Sequence, residues 1–416
     1  MARTRHHKWA LASAALLALA GCQSTVSSPA ARDIAAIHTS AIVLDAHADI
    51  ALAETSPLYL GADGRSKVAP EKLIAGEFDA VVMAIAAGPQ LRTPEGDAKA
   101  RAESLAKLAA AQDLLAANPD TFALATAPDE VRTNSENGLI SIILGFQNAQ
   151  SLEGDIDRID EFYAAGVRVF GLTHLGHNDF ADSSRPRFDG ETGTYEVTEE
   201  HGGLSTLGVA AVKRIDALGG IVDVSQMSKA ATLQAIELAM LPVIASHSNA
   251  KSLSDVTRNL SDEEIDRIGE TGGVIHIAAF SAYLVDLSDP ELKASIRDVR
   301  LTAGLPETYS YPYELYWELE SDKEKVAFLT NMRALVGRES VSRMVDHIDY
   351  VVERVGIDHV GIGTDFNHGG GIVGFEEADS AAAVTVELVA RGYSDEDIFK
   401  IWGGNFLRVL DAASAR

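Results

Sequence analysis

At 416 residues, with 46 % hydrophobic and 23 % charged residues, the chain is long enough for one large or two ordinary domains and too apolar for disorder to be its default state. A net charge of −26, with no basic cluster beyond the first residues, argues against nucleic acid and anionic lipid head groups as partners. Its single cysteine rules out an intrachain disulfide.

Arg3, Arg5 and Lys8 precede an apolar, small-residue run from Trp9 to Ala20. That run is long enough for the core of a signal peptide and short for a free-standing membrane span, so residues 1–21 are expected to be removed. The run ends Leu19-Ala20-Gly21-Cys22, which resembles a bacterial lipobox with Cys22 as the lipidated residue. A plain secretory signal with a chance cysteine is the alternative. Residues 22–32, small, polar and Pro-containing, suit a tether between an acyl anchor and a domain over 33–416. The expected location is extracytoplasmic, on the periplasmic side of a cell envelope.

From Asp33 onward short β-rich runs alternate with helical stretches. Eight strands are predicted, at Ala41–Asp45, Ala80–Ile85, Ile140–Leu144, Val167–Leu172, Gly220–Val224, Pro242–Ser246, Gly273–Ala278 and His359–Gly363. Continuous apolar strands, each followed by a helix, indicate a parallel sheet covered on both faces, and eight such units favour a closed (β/α)8 barrel over an open sheet. No Gly-x-Gly-x-x-Gly follows a strand, which leaves a dinucleotide fold without support. Residues 286–339, between the seventh and eighth strands, are too long for an ordinary connection. The tyrosines Tyr309, Tyr311 and Tyr313 within them fit an ordered lid, an oligomer contact or a decorative insertion.

Chemistry in such a barrel belongs just past the strand C-termini. Those positions hold His47 and Asp49 after the first strand, Gln147 after the third, His174 after the fourth, Gln226 after the fifth, His247 after the sixth and Asp365 after the eighth. His47 and Asp49 alternate onto one face, about 7 Å apart by the usual rise, and could share a divalent cation. A buried histidine paired with an acid would give the same local pattern. Several ionisable groups converging on one rim are costly to bury without a counter-ion.

Taken in order, Asp45-Ala46-His47-Ala48-Asp49, Leu172-Thr173-His174, Asp223-Val224-Ser225, Ala245-Ser246-His247-Ser248, Arg258-Asn259 and Gly363-Thr364-Asp365-Phe366 resemble the membrane (renal-type) dipeptidase family, peptidase family M19. The resemblance runs from about Asp33 to the C-terminal Gly404-Asn405-Phe406-Leu407-Arg408. It implies a two-zinc barrel enzyme that hydrolyses dipeptides bearing a free carboxylate. By the same resemblance His47, Asp49 and Asp365 hold the first metal, and Asp365 and His174 take part in catalysis. Arg258 takes the substrate carboxylate, and Tyr283 contacts substrate.

The family's bridging glutamate and fifth-strand histidine are matched here by Gln147 and Gln226. A neutral amide offers one carbonyl oxygen, so both are weak second-site ligands, with His247 left from that set. One zinc is therefore expected, with His177, Asp179 and His276 as substitute ligands to be weighed. The activity expected is that of a metal-dependent dipeptidase acting on dipeptides or a small related amide. The alternatives are a repurposed homologue that binds or matures a peptide-like molecule, and a non-enzymatic envelope lipoprotein. A homodimer is possible.

Overall fold

The structure, a computed structural model, describes residues 32–189, 192, 194–305, 319 and 321–416. Cys22 and Tyr309, Tyr311 and Tyr313 lie outside the described residues. Eleven strands are present among those described: β1 Leu44–Asp49, β2 Ala80–Ala86, β3 Phe122–Leu124, β4 Ile140–Gln147, β5 Val167–Gly171, β6 Phe188–Asp189, β7 Thr194–Tyr195, β8 Ile221–Asp223, β9 Ile244–Ala245, β10 Val274–Ala278 and β11 Val360–Gly363.

Eight of these run in the order β1-β2-β4-β5-β8-β9-β10-β11, each parallel to its neighbour. The ring closes where Ala48 bridges Phe366 in parallel, with Asp365 N–H donating to the His47 carbonyl and Asp49 N–H to that of Phe366, both at 2.9 Å. All eight predicted strands are thus found, with shifted limits. β1 extends to Asp49 and β4 to Gln147, because these polar residues are hydrogen-bonded into the ladder rather than released into loops. β3 was not predicted; it pairs with residues 140–142 of β4, below Leu144, where β4 begins to pair with β5. The hairpin of β6 and β7 lies in the long exit loop of β5.

Inward-facing Leu44, Ala46, Val82, Ile143, Val169 and Ile221 share one cluster with Phe406, Leu407 and Leu410 of the C-terminal helix Asn405–Ser414. That helix fills the N-terminal end of the barrel, and Asn405 ties it down by donating to the Ile357 and Val360 carbonyls at 2.8 Å each. The polar centre is therefore confined to the opposite, C-terminal end. Within the inserted segment, helices Pro290–Thr302 and Asp322–Val336 place Ile296, Phe328 and Met332 in a cluster with Leu175, Val256 and Ala278. Each such buried side chain contributes roughly 1.5–3 kcal/mol. The insertion thus has its own apolar seat, on residues that follow β5, β9 and the end of β10.

Candidate metal centre

The centre starts at a bulge. Asp45 is in register with Val81 and Ala48 with Met83, so β1 carries one residue more than β2 across this interval. The buried Asp45 carboxylate accepts the His47 N–H at 3.1 Å, the Thr364 N–H at 2.8 Å and the Thr364 hydroxyl at 2.5 Å. Burial pushes its carboxyl up to about 6, against the opposing pull of those Thr364 bonds. Asp45 therefore fastens β1 to β11 at the seam, and His47, Asp49 and Asp365 are delivered from either side of it. Asp365 sits at φ +58°, a left-handed conformation that costs a non-glycine residue on the order of 1–2 kcal/mol. Such strain persists where the surroundings enforce it.

His47 Nε2, Asp49 Oδ1 and Asp365 Oδ2 are buried and have no hydrogen-bond partner among the described residues. His47 Nε2 lies 3.4 Å from Asp49 Oδ1, and ligand atoms of His47, His247 and Asp365 fall within 4.8 Å of one another. Donors bound at ~2.0–2.1 Å to a tetrahedral cation stand roughly 3.3 Å apart, so the His47–Asp49 spacing is that of a coordination edge. Two carboxylates would balance a dication. His47, His247 and Asp365 stand close enough to share one ion, and Asp49 reaches that group through His47.

The rest of Asp49 is held by residues that the strand ends do not announce. Its Oδ2 meets His368 Nδ1 at 3.1 Å and the buried Lys107 ammonium at 3.8 Å. Burial alone would push this carboxyl up, but Lys107, His368 and His47 outweigh it and hold it well below the usual carboxylate range. For His47, burial pulls the imidazole down while Asp49 and Asp365 override it and raise it. Lys107 had one legible signal: it falls in the buried series Gly96, Ala100, Ser104, Lys107, Ala111 on the helix Pro94–Ala117, where a lysine at an otherwise small-residue register is out of place. His368, in the exit loop of β11, stacks on Tyr59 with ring centroids 5.2 Å apart and meets His174 edge-on at 4.9 Å.

The remaining predicted site residues are all buried. His174 is a neutral imidazole, driven well below its ordinary value by burial and by nearby His368 and Arg185. His247 stacks on His47 with centroids 3.7 Å apart and is likewise driven down by burial, then by His47 and Arg258. Gln147 ends β4, its Nε2 unpartnered among the described residues. Gln226 adopts φ +69°, accepts from the Arg185 guanidinium through Oε1, and sets Nε2 3.3 Å from His247 Nε2. Arg258 is 2 % exposed, donates to Ser248 Oγ at 2.9 Å and to the His247 carbonyl, and lies 5.1 Å from the Tyr283 ring.

A cavity of about 600 Å³ reaches Asp49 and His174, with His368, Lys107, Glu103 and Tyr59 in its walls. The substitute ligands are engaged elsewhere. His177 accepts the Ser183 N–H at Nδ1, with Nε2 2.7 Å from the Val197 carbonyl; Asp179 pairs with Arg92; His276 donates to the Ala245 carbonyl and packs on Phe406.

Comparison with known proteins agrees with this architecture. The profile of the membrane dipeptidase family (peptidase family M19) matches residues 31–416. The probable dipeptidase PvdM from Pseudomonas aeruginosa superposes with a TM-score of 0.80 at 32 % identity, covering 92 % of this chain and 98 % of that one. A metallo peptidase from Rhodobacter sphaeroides, solved with a phosphinate mimic of a dipeptide, shares the fold at a TM-score of 0.66 and 20 % identity, over 89 % of this chain and 99 % of that one. Among curated sequences, the dipeptidase aclJ of Aspergillus oryzae is 29 % identical over 295 residues, 70 % of this chain. The match spans 56 % of that relative's length, so the chain covers little more than half of it.

Proposed function

Because the chain belongs to the membrane dipeptidase family, we propose that it is a metal-dependent hydrolase of dipeptides or a closely related small amide, working with a single zinc ion. One observation carries the reading: His47 and Asp365, together with His247, offer buried ligand atoms within 4.8 Å of one another at the barrel mouth, and Asp49 Oδ1 lies 3.4 Å from His47 Nε2. His47, Asp49 and Asp365 would hold the cation, which would supply a Lewis acid and make water acidic enough to attack near neutral pH.

The chain's own groups do the rest. His174, neutral and on the cavity wall, can donate an N–H to the oxygen on which negative charge develops. Asp365, anchored by its backbone to His47, is the acceptor for the proton lost by the attacking water. Arg258 is the proposed partner of the substrate carboxylate, with Tyr283 beneath it, while Lys107 is the competing cation because it lines the cavity itself. The apolar run before Cys22 supports export and lipid anchoring on the periplasmic side, and homodimerisation is a further proposal.

The test is hydrolysis of a dipeptide panel, with L and D residues at the C-terminal position, by protein stripped with chelator and reloaded with zinc. Cleavage that disappears on stripping and returns on reloading is expected. A protein that takes up zinc yet leaves every dipeptide intact would favour the second reading, a repurposed homologue that binds or matures a peptide-like molecule, to which the neutral Gln147 and Gln226 point.

A further inference from the structure

Five buried side chains lie in sequence across the centre, and the polarity of every contact between them is forced. Arg185 comes from the exit loop of β5, and a guanidinium can only donate, so Gln226 must present Oε1 to it. The amide NH2 of Gln226 is then the end that faces His247 Nε2, at 3.3 Å, and that nitrogen must offer its lone pair. His247 Nδ1 consequently carries the ring's one proton and donates to Ser246 Oγ at 2.7 Å. Ser246 in turn gives its own proton to Asp223 Oδ2, at 2.5 Å. Asp223 is held by the Ser225 and Ser246 N–H groups on Oδ1, both at 2.9 Å. A one-way chain of hydrogen bonds thus runs from a cation to a carboxylate through three neutral groups, an arrangement in which each link polarises the next.

The same serine addresses the other imidazole. Ser246 Oγ has spent its proton on Asp223 and keeps two lone pairs, so His47 Nδ1, 3.3 Å away, also faces an acceptor. Neutral His47 and neutral His247 are therefore the same tautomer, each with a lone pair on Nε2. What separates them is Gln226. Distance alone would admit either ring to the group, but the lone pair of His247 is taken by the amide, whereas His47 Nε2 faces the Asp49 carboxylate oxygen at 3.4 Å, an anion able to share a cation with it.

We infer that Arg185 and Gln226 withhold His247 from metal coordination, so that this stacked histidine pair supplies one ligand, His47, and the centre takes a single cation. The inference rests on the proposal that a cation binds beside Asp49 and Asp365. It makes Arg185 and Gln226 positioning residues: they act on the centre through His247.

Nitrogen NMR of protein labelled with 15N-histidine tests it without reading activity, the signals being assigned with His247→Gln and His47→Gln. In metal-free protein His247 is expected to show protonated Nδ1 and bare Nε2. On addition of zinc, Nε2 of His47 should move to a metal-bound position while Nε2 of His247 stays. In parallel, equilibrium dialysis should give one zinc for the wild type and one for His247→Gln with affinity changed by no more than about tenfold, the low end of outer-shell effects. His47→Gln should lose the ion.

Displacement of the His247 signal together with that of His47, or loss of the ion in His247→Gln, overturns the inference. Should no cation bind at all, the hydrolytic proposal fails, yet the chain is still decided in metal-free protein. Arg185→Met should then release Gln226 and shift the His247 Nε2 signal, and an unmoved signal refutes the chain.

Discussion

Mild acid should attack this fold through a buried histidine that is not among the candidate metal ligands. His347 lies on the helix Val341–Val355, fully buried, and its Nδ1 accepts the Ala250 N–H at 3.1 Å. Burial, reinforced by nearby Arg343, drives it from an ordinary 6.5 down to about 3. The folded-state value is the depressed one, so between pH 3 and pH 6.5 the unfolded chain binds more protons than the folded chain. The stability tied to neutral His347 is complete above pH 6.5 and drains away as pH falls toward 3. With those two values the loss is ~2 kcal/mol by pH 5 and ~4 kcal/mol by pH 3. Against a total stability of roughly 5–15 kcal/mol, the first figure is readily measured. The assay is urea unfolding at pH 8, 6.5 and 5, with chelator present throughout, for the wild type and His347→Gln. The variant should be less stable at pH 8, having lost a fitted ring, but its loss between pH 8 and pH 5 should be smaller than the wild type's by ~2 kcal/mol. Identical losses in the two proteins would show that His347 does not titrate in this way.

Other outcomes follow from the same geometry. Gly363→Ala would set a Cβ 1.9 Å from the Ser246 carbonyl, a backbone atom that cannot give way, so the variant should fail to accumulate as folded protein; normal yield and melting temperature would contradict the close approach of β9 and β11. Arg258→Met should raise KM for dipeptides sharply and leave an amide lacking the carboxylate almost unaffected, whereas the same split in Lys107→Met would transfer the carboxylate to the cavity lysine. Gln147→Glu/Gln226→His should raise bound zinc from one toward two and increase dipeptide turnover; unchanged metal content would show that the two amides are not what limits the second site.

The barrel was legible because strands covered on both faces read as unbroken apolar runs, and those runs survive in every one of the eight. Their ends were less so. Ala46 to Asp49 lie beyond the predicted limit of the first strand, yet they continue it and pair with β2 and β11, because a polar residue at a barrel rim can keep its ladder bonds while its side chain enters the centre. β3 was invisible, since Phe122-Ala123-Leu124 is too short to show a period.

At the site, strand ends gave His47, Asp49, His174, His247 and Asp365, while Lys107, Arg185 and His368 arrive from a helix and two loops, for which strand-end reasoning has no rule. Arg185 matters most in this respect. The sequence shows two glutamines where better ligands were expected, and only the fold reveals that one of them faces a guanidinium and a ring nitrogen. The buried guanidinium would repel a second dication placed beside Gln226, which adds to the weakness of the two amides as ligands.

The central claim is that one cation is held by His47, Asp49 and Asp365. Zinc per chain, measured by plasma mass spectrometry after reloading stripped protein and dialysing away the excess, tests it most directly. The account predicts one ion in the wild type and none in Asp365→Asn/Asp49→Asn; two ions in the wild type, or one retained by that double variant, would contradict it.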